Sequence, residues 1–479
     1  MRKTKIVSTI GPASDSVDVL EKLSKAGMNI ARQNFSHGTY EEHEEHLKRI
    51  RSISDNIGVM MDTQGPEIRL KKVEDGTELV TGESVTLVTE DIVGDESRLP
   101  VDYPEIINYL ENGDKLLIDD GQIELEVTDV DDSVECRIIY GGKVLTKKSV
   151  NVPGKDIGLK APTKKDVKDI KFAIKKGFDF VSASFVKTAN DIHKIKDIIE
   201  SKNCDMDIIA KIEHIKAVNN LDEILDATDA VMIARGDLGV EVPASQVPLL
   251  QKRIIEKANR KEKPVITATQ MLKSMTESPR ATRAEVSDVA NAVLDGSDAV
   301  MLSEETAVGK YPVKSVEFMS EVVQQMEGYL KGRTHHTHDI RSDNIADIIA
   351  KSVWQADRDI DVKYIVAHTS SGYTAHKIAK FRPETDILAF TDKETIQRKL
   401  NLVWGVTSFY MEFPEHVDEM TERSAKFLFE KGYVNKDDRI ILTAGVPAPV
   451  EGITNMMEIR TVKSLLEERR KKEKNKKGF

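Results

Sequence analysis

The sequence predicts an α/β protein: a (β/α)8 barrel with an inserted small all-β domain, followed by a C-terminal three-layer α/β domain. Three observations lead there. Short apolar runs alternate with helical stretches eight times. That rhythm breaks once, over about 69–156, where residues alternate with the two-residue period of strands. A further α/β alternation starts near Asp343 and continues to Thr461.

In chain order, strand patterns occupy 5–10, 28–34 and 58–62, with helical patterns over 16–25 and 40–53. The insertion follows, with strand runs at 84–89, 115–118, 123–127 and 134–139. Asp75-Gly76, Asn112-Gly113 and Gly141-Gly142 supply turn signals between them. The barrel rhythm resumes with strands at 178–185, 207–212, 230–234, 264–268 and 299–302. Helical patterns at 165–176, 249–259 and 282–294 lie between these strands. The last unit opens with a helix over 345–356, a strand over 364–367 and a helix over 375–381. The expected organisation is a barrel from 1–68 and 157–335, a β-rich insertion over 69–156 and a C-terminal α/β domain over 343–463, then a basic tail over 464–479. Residues 332–340, with His335, His336 and His338, read as a linker, and 469–477 as a solvated basic run.

Composition narrows the function classes. A chain of 479 residues has room for about three domains. Its 39% hydrophobic and 32% charged residues exclude a disordered or membrane-embedded chain. No apolar run reaches the roughly 18–20 residues that span a bilayer. The net charge of −11 gives no general attraction to nucleic acid. Cys136 and Cys204 are too few for a disulfide framework or a four-cysteine zinc site. The apolar part of the opening segment is too short for a secretory signal, so the expectation is a cytoplasmic protein with reduced thiols.

A (β/α)8 barrel places its chemistry at the C-terminal ends of its strands. Polar residues follow seven of the predicted strands: Thr9, Arg32 to His37, Asp62 to Arg69, Lys211 to Glu213, Arg235 to Gly239, Thr269-Gln270, and Ser303 to Thr306. Glu213 and Asp237 offer two carboxylates on adjacent strands, which suits Mg²⁺ with open positions for substrate oxygens. Lys211 and Glu213 are two apart on a strand and face the same way. A lysine beside a divalent cation neutralises charge on a transferring phosphoryl group. Arg32 and Arg69 can clamp phosphate oxygens. Backbone N–H groups at Gly236-Asp237, where a helix begins, can hold a carboxylate.

Several motifs in order make a resemblance specific. Asn34-Phe35-Ser36-His37-Gly38, Asp62-Thr63-Gln64-Gly65-Pro66-Glu67-Ile68-Arg69, Ala210-Lys211-Ile212-Glu213, Ala234-Arg235-Gly236-Asp237-Leu238-Gly239 and Ala268-Thr269-Gln270-Met271-Leu272 resemble the signatures of pyruvate kinases. Ser303-Glu304-Glu305-Thr306 resembles that family's Ser-Gly-Glu-Thr, with Glu304 where glycine is common. The resemblance implies a phosphotransferase of the last step of glycolysis, moving a phosphoryl group from phosphoenolpyruvate to ADP to give pyruvate and ATP. It implies Lys211 at the phosphoryl in flight, and Glu213 and Asp237 on Mg²⁺ or Mn²⁺. Arg32 and Arg69 would contact phosphates. Gly236 and Thr269 would contact the substrate, with Ser303 and Glu305 behind Thr269 in a proton relay. Asn34, Ser36, Asp62 and the Thr63 carbonyl would hold K⁺. Pro12, Asn34, His37, Arg69, Lys165 and the lid's Asp120 would border the nucleotide. In that family the insertion, here 69–156, is a lid domain and the C-terminal domain, here 343–463, is regulatory, and the enzyme is typically an allosteric homotetramer.

The cation pattern is mixed. Glu67 matches potassium-requiring members, whereas Gln64 and Leu70 look like the independent group. A carboxylate cannot replace a missing cation, so K⁺ activation is expected. In the C-terminal unit, Thr369, Ser370, Ser371, Gly372 and Thr374 follow a strand and open a helix, a phosphate cradle. The loop at 445–452 carries no Arg or Lys, and Glu451 would repel a second phosphate. A monophosphate effector such as AMP or a sugar monophosphate therefore fits better than a bisphosphate. Two other readings compete: a Mg²⁺-dependent enolate-forming lyase, which would need neither Lys211 nor a lid, and an inactive metabolite sensor, which would have lost a mouth residue.

Overall fold

The structure, a computed structural model, describes residues 1–332, 344–446 and 452–467. The expected linker histidines, residues 469–477 of the basic tail and Glu451 lie outside these residues. Eight parallel strands close into a barrel: Lys5–Thr9, Ile30–Asn34, Gly58–Asp62, Phe180–Ala183, Asp207–Ile212, Ala230–Ala234, Val265–Ala268 and Ala299–Leu302. The first strand pairs with both the second and the eighth. Alternate residues divide between two cores, as a two-residue period requires. Val7, Ile30, Met60, Phe180, Ile209, Met232 and Ile266 fill the barrel interior. Their neighbours, such as Ile6, Ala31, Val59, Val181 and Ile208, pack against the surrounding helices. Leu402, from the C-terminal unit, joins the interior cluster.

The helices start where side chains satisfy their free N–H groups. Thr39 with Glu42, Thr163 with Asp166, and Thr282 with Glu285 form capping boxes. The fourth strand is shorter than its apolar pattern. It stops at Ala183, because Phe185 turns into the left-handed region at φ 54°.

The lid is a seven-stranded sheet between the third and fourth barrel strands. Its order is Ile68–Arg69, Ser149–Asn151, Lys115–Ile118, Ile123–Val130, Val134–Tyr140, Ser84–Val88, Arg98–Pro100. It has its own core around Leu116, Leu125 and Val134. The C-terminal unit has a five-stranded sheet, four strands parallel and the last, Met456–Thr461, antiparallel. Ile365, Ala367 and Ile387 pack on one face and Val366, Leu388 and Phe390 on the other. A sheet buried on both faces with helices outside is the three-layer arrangement. Among the described residues no helix is long and apolar enough to cross a membrane.

Candidate active site

The strand register assembles the site at one barrel mouth. Asn34 aligns with Asp62, and Asp62 with Ser182. Asp62 is fully buried and central. Its Oδ2 accepts from Arg32 Nε at 2.6 Å, and its Oδ1 lies 3.3 Å from Lys211 Nζ. Arg32 also donates to Thr9 Oγ1 at 2.8 Å. Lys211 Nζ meets Glu213 Oε1 at 2.7 Å and donates to Ser184 Oγ at 2.7 Å. The other oxygen of Glu213 accepts from the backbone N–H of Phe185 at 2.6 Å. The left-handed backbone of Phe185 is what aims that N–H inward.

The electrostatics of this cluster favour a bound cation. Burial opposes the Asp62 charge, yet Arg32 and Lys211 hold its carboxyl below the usual range. Burial likewise opposes the Lys211 charge, but Asp62, Glu213 and Asp237 raise the amine above its ordinary pKa. Glu213 is pushed up by burial and by Asp237, against the pull of Lys211. Asp237 is pushed up by burial, with Asp120 and Glu67 adding to it. Two cations therefore face two buried carboxylates, Asp62 and Glu213, and a partly buried one, Asp237, and the last two of these are short of positive charge. Glu213 and Asp237 are hard oxygen donors in that condition, the donor set a divalent cation suits. The proposed monovalent site is also all oxygen. The Ser184 hydroxyl donates to the Thr63 carbonyl at 2.7 Å and lies 3.4 Å from Asp62 Oδ1. Asn34 Oδ1 accepts from the Ser36 N–H at 3.1 Å.

Around this centre, the expected residues divide. The Gly236 N–H is not free: it donates to Thr269 Oγ1 at 2.8 Å, so a carboxylate bound there must share that donor. Thr269 and Gln270 both adopt left-handed backbone, φ 66° and 57°, which brings Thr269 over Gly236. Glu305 does not contact Thr269. Its carboxylate accepts from the N–H groups of Leu272 at 3.0 Å and of Ser303 at 2.7 Å, so the expected relay is not a continuous chain here. Arg69 is engaged by Glu67 at 2.7 Å and by the Lys147 carbonyl at 2.8 Å.

A cleft of about 320 Å³ separates lid from barrel. His37, Arg69, Asp120 and Asp237 line it together with Lys147, Lys148, Lys155 and Lys187. Asp119 and Asp120 both have positive φ, so the lid hairpin bends its tip into the cleft. Lys165 lies behind His37, donating to the Phe35 carbonyl at 2.6 Å and to Asp169 at 2.7 Å. Pro12 is exposed in the turn after the first strand. The Gly65 backbone, φ 75°, passes so close to Ser184 that a Cβ there would lie 2.7 Å from the Ser184 Cβ. Sequence reasoning missed Ser184 and the Phe185 N–H, because a small hydroxyl and a backbone donor carry no charge to mark them.

The comparisons with known proteins decide the family. The family model for the pyruvate kinase barrel domain matches residues 1–316, and that for the pyruvate kinase alpha/beta domain matches residues 347–460. The chain belongs to the pyruvate kinase family. It is 45% identical over 477 residues to a pyruvate kinase of Geobacillus stearothermophilus, covering 97% of this chain and 81% of that one. A pyruvate kinase of Staphylococcus aureus is 43% identical over 473 residues, covering 96% and 81%. A crystal structure of a pyruvate kinase from Cryptosporidium parvum superposes with a TM-score of 0.91 at 34% identity, covering 96% of both chains.

The candidate effector loop lies far along the chain in this family's α/β domain. Ser371 is exposed, and Gly372 has φ 85° just before the helix Tyr373–Lys380. Thr369 and Thr374 are already occupied. The Thr369 N–H donates to the Phe390 carbonyl at 2.9 Å, and the Thr374 hydroxyl lies 2.7 Å from that of Thr454.

Proposed function

We propose that this protein transfers the phosphoryl group of phosphoenolpyruvate to ADP, giving pyruvate and ATP, in the cytoplasm as the closing step of glycolysis. One observation carries the reading. Arg32 and Lys211 converge on a centre whose carboxylates, Glu213 and Asp237, are short of positive charge, beneath a lid cleft rimmed with lysines. Phosphoryl transfer needs positioning and charge neutralisation rather than a covalent partner.

Each residue then has a task. Arg32 and Lys211 neutralise the phosphoryl oxygens. The Gly236 N–H and Thr269 hydroxyl orient the carboxylate end of the substrate. Arg69, freed from Glu67, and the lysines of the cleft hold the nucleotide phosphates, with His37, Asn34, Pro12, Lys165 and Asp120 around them. Glu213 and Asp237 would hold Mg²⁺ or Mn²⁺, which would supply stabilisation of the negative charge that develops during transfer. Asn34, Ser36, Asp62 and the Thr63 carbonyl would hold K⁺. Thr269 would lie near the enolate as it takes its proton, with Ser303 and Glu305 behind it. The lid keeps water from the phosphoryl donor. The Ser370-Ser371-Gly372 turn is the candidate site for AMP or a sugar monophosphate, in a homotetramer.

The test is the rate of pyruvate formation from phosphoenolpyruvate plus ADP with Mg²⁺ and K⁺. Pyruvate release that depends on ADP supports the reading. Release without ADP would mean transfer of the phosphoryl group to water, and no turnover with or without ADP would fit an enolate-forming lyase acting on another substrate, or a sensor.

A further inference from the structure

The lid returns to the barrel through residues 154–156, and loops after three barrel strands grip that strap. The Gly154 N–H donates to Glu241 Oε2 at 3.4 Å, and Glu241 ends the helix Arg235–Glu241 that carries Asp237. Lys155 faces the lid instead, with its Nζ 2.6 Å from Asp114 Oδ2 and 3.4 Å from Glu111 Oε2. Asp156 faces the barrel with both oxygens. Its Oδ1 accepts from Lys187 Nζ at 2.6 Å and its Oδ2 from Lys216 Nζ at 2.9 Å.

The two lysines stand on the loops that set the geometry of Glu213. Lys187 follows Phe185, whose N–H holds Glu213 at 2.6 Å, by two residues. Lys216 follows Glu213 itself by three. One carboxylate of the lid strap thus ties together the donor and the acceptor sides of that hydrogen bond. The Lys187 side chain is only 10% exposed, and its remaining contact is the Leu159 carbonyl at 3.4 Å. Asp156 is the carboxylate it pairs with directly, and Glu241 is close enough to feel its charge.

We propose that Asp156 is a positioning residue for Glu213, so that seating the lid strap and ordering the divalent-cation site are one event. The proposal rests on the reading that Glu213 and Asp237 hold that cation. Asp156 touches neither of them. It acts through the backbone of the loops that carry Lys187 and Lys216.

The experiment measures Mn²⁺ binding to the full chain, without substrates, by water-proton relaxation. Wild type is compared with D156N, D156E, K216Q and E213Q, and thermal unfolding without metal is recorded for each. Loss of a group supporting a metal ligand weakens affinity by about 10–100-fold, so D156N should bind at least about 10-fold more weakly than wild type. D156E, which keeps the two-pronged charge, should recover most of that loss. K216Q removes one half-exposed prong and should weaken binding by about 3-fold or more. It decides alone if D156N does not fold. A lowered melting temperature in D156N with wild-type Mn²⁺ affinity, while E213Q binds weakly, would mean a purely structural clasp and would overturn the proposal alone. Wild-type affinity in E213Q would overturn the cation reading and the proposal with it.

Discussion

Replacing Lys211 by methionine removes one positive charge and little else. The stem stays, and the side chain is only 12% exposed, so its packing carries most of what remains. A unit charge about 4 Å from developing phosphoryl charge, at an effective dielectric constant of about 20, is worth about 4 kcal/mol. Lost from the transition state, that is roughly a thousandfold in kcat. The fold should survive the change. Asp62 keeps Arg32 at 2.6 Å and Glu213 keeps the Phe185 N–H at 2.6 Å. Burial already pushes Glu213 toward its neutral form, so it can take up a proton instead of standing as an orphaned charge. The assay is initial-rate pyruvate formation at saturating phosphoenolpyruvate, ADP and Mg²⁺, with circular dichroism as the control for folding. Proton exchange into pyruvate in deuterated water should outlast phosphoryl transfer, since it does not need the Lys211 charge. A mutant retaining more than about a tenth of kcat, a loss under ~1.4 kcal/mol, would refute this role for Lys211.

Asp237→Asn and Glu213→Gln should each lose activity most at limiting Mg²⁺, and equal Mg²⁺ titrations for either mutant and wild type would remove both from the cation site. Replacing K⁺ and Na⁺ by tetramethylammonium should lower activity, and Glu67→Lys should restore part of it. Undiminished activity in tetramethylammonium would contradict the monovalent site. Half-saturating phosphoenolpyruvate should reveal a response to AMP or ribose 5-phosphate but not to fructose 1,6-bisphosphate, and activation by the bisphosphate alone would reverse that expectation. Burial lowers the pKa of His368 to about 4, although the Thr443 carbonyl opposes the shift. The unfolded chain binds a proton at about pH 6.5 that the folded chain refuses, so the contribution of this histidine to stability should fall between about pH 6.5 and 4 by up to about 3 kcal/mol and change no further below that. His368→Gln should flatten the fall in melting temperature over that range, and an unchanged slope would place the effect elsewhere.

The fold was legible because its two periodicities are strong. The helix Tyr40–Ile53 and the strands Gly58–Asp62 and Ala230–Ala234 follow their apolar patterns to the residue. The fourth strand was read too long, since Phe178, Phe180 and Phe185 look alike in sequence and only φ at Phe185 separates them. The charged site residues were legible for a related reason: charges after so many strands at one end of the barrel exceed what ion pairs at its rim require, although single ones such as Arg235, paired with Asp288, are structural. Ser184 gave no such signal, being small and neutral. The Gly236–Thr269 hydrogen bond depends on the left-handed backbone at Thr269, a feature that no residue type there announces. Asp156 was invisible for another reason. Its partners, Lys187 and Lys216, are distant in sequence and lie in lysine-rich stretches that read as surface.

The pairing of Lys5 with Ala299 has a consequence for synthesis. The first strand leaves the ribosome with one edge open, and its partner follows only after some 290 further residues. At about 5–20 residues per second that is a wait of roughly 15–60 s. Meanwhile the lid, whose hairpins join near neighbours in sequence such as Lys115–Ile118 and Ile123–Val130, can fold at once. An N-terminal strand that is apolar and unpaired for that time is a template for the wrong neighbour. Shielding the first 62 residues until the eighth strand arrives should therefore raise the yield of soluble protein, and slowing translation beyond Leu302 should cost less of it than slowing it before.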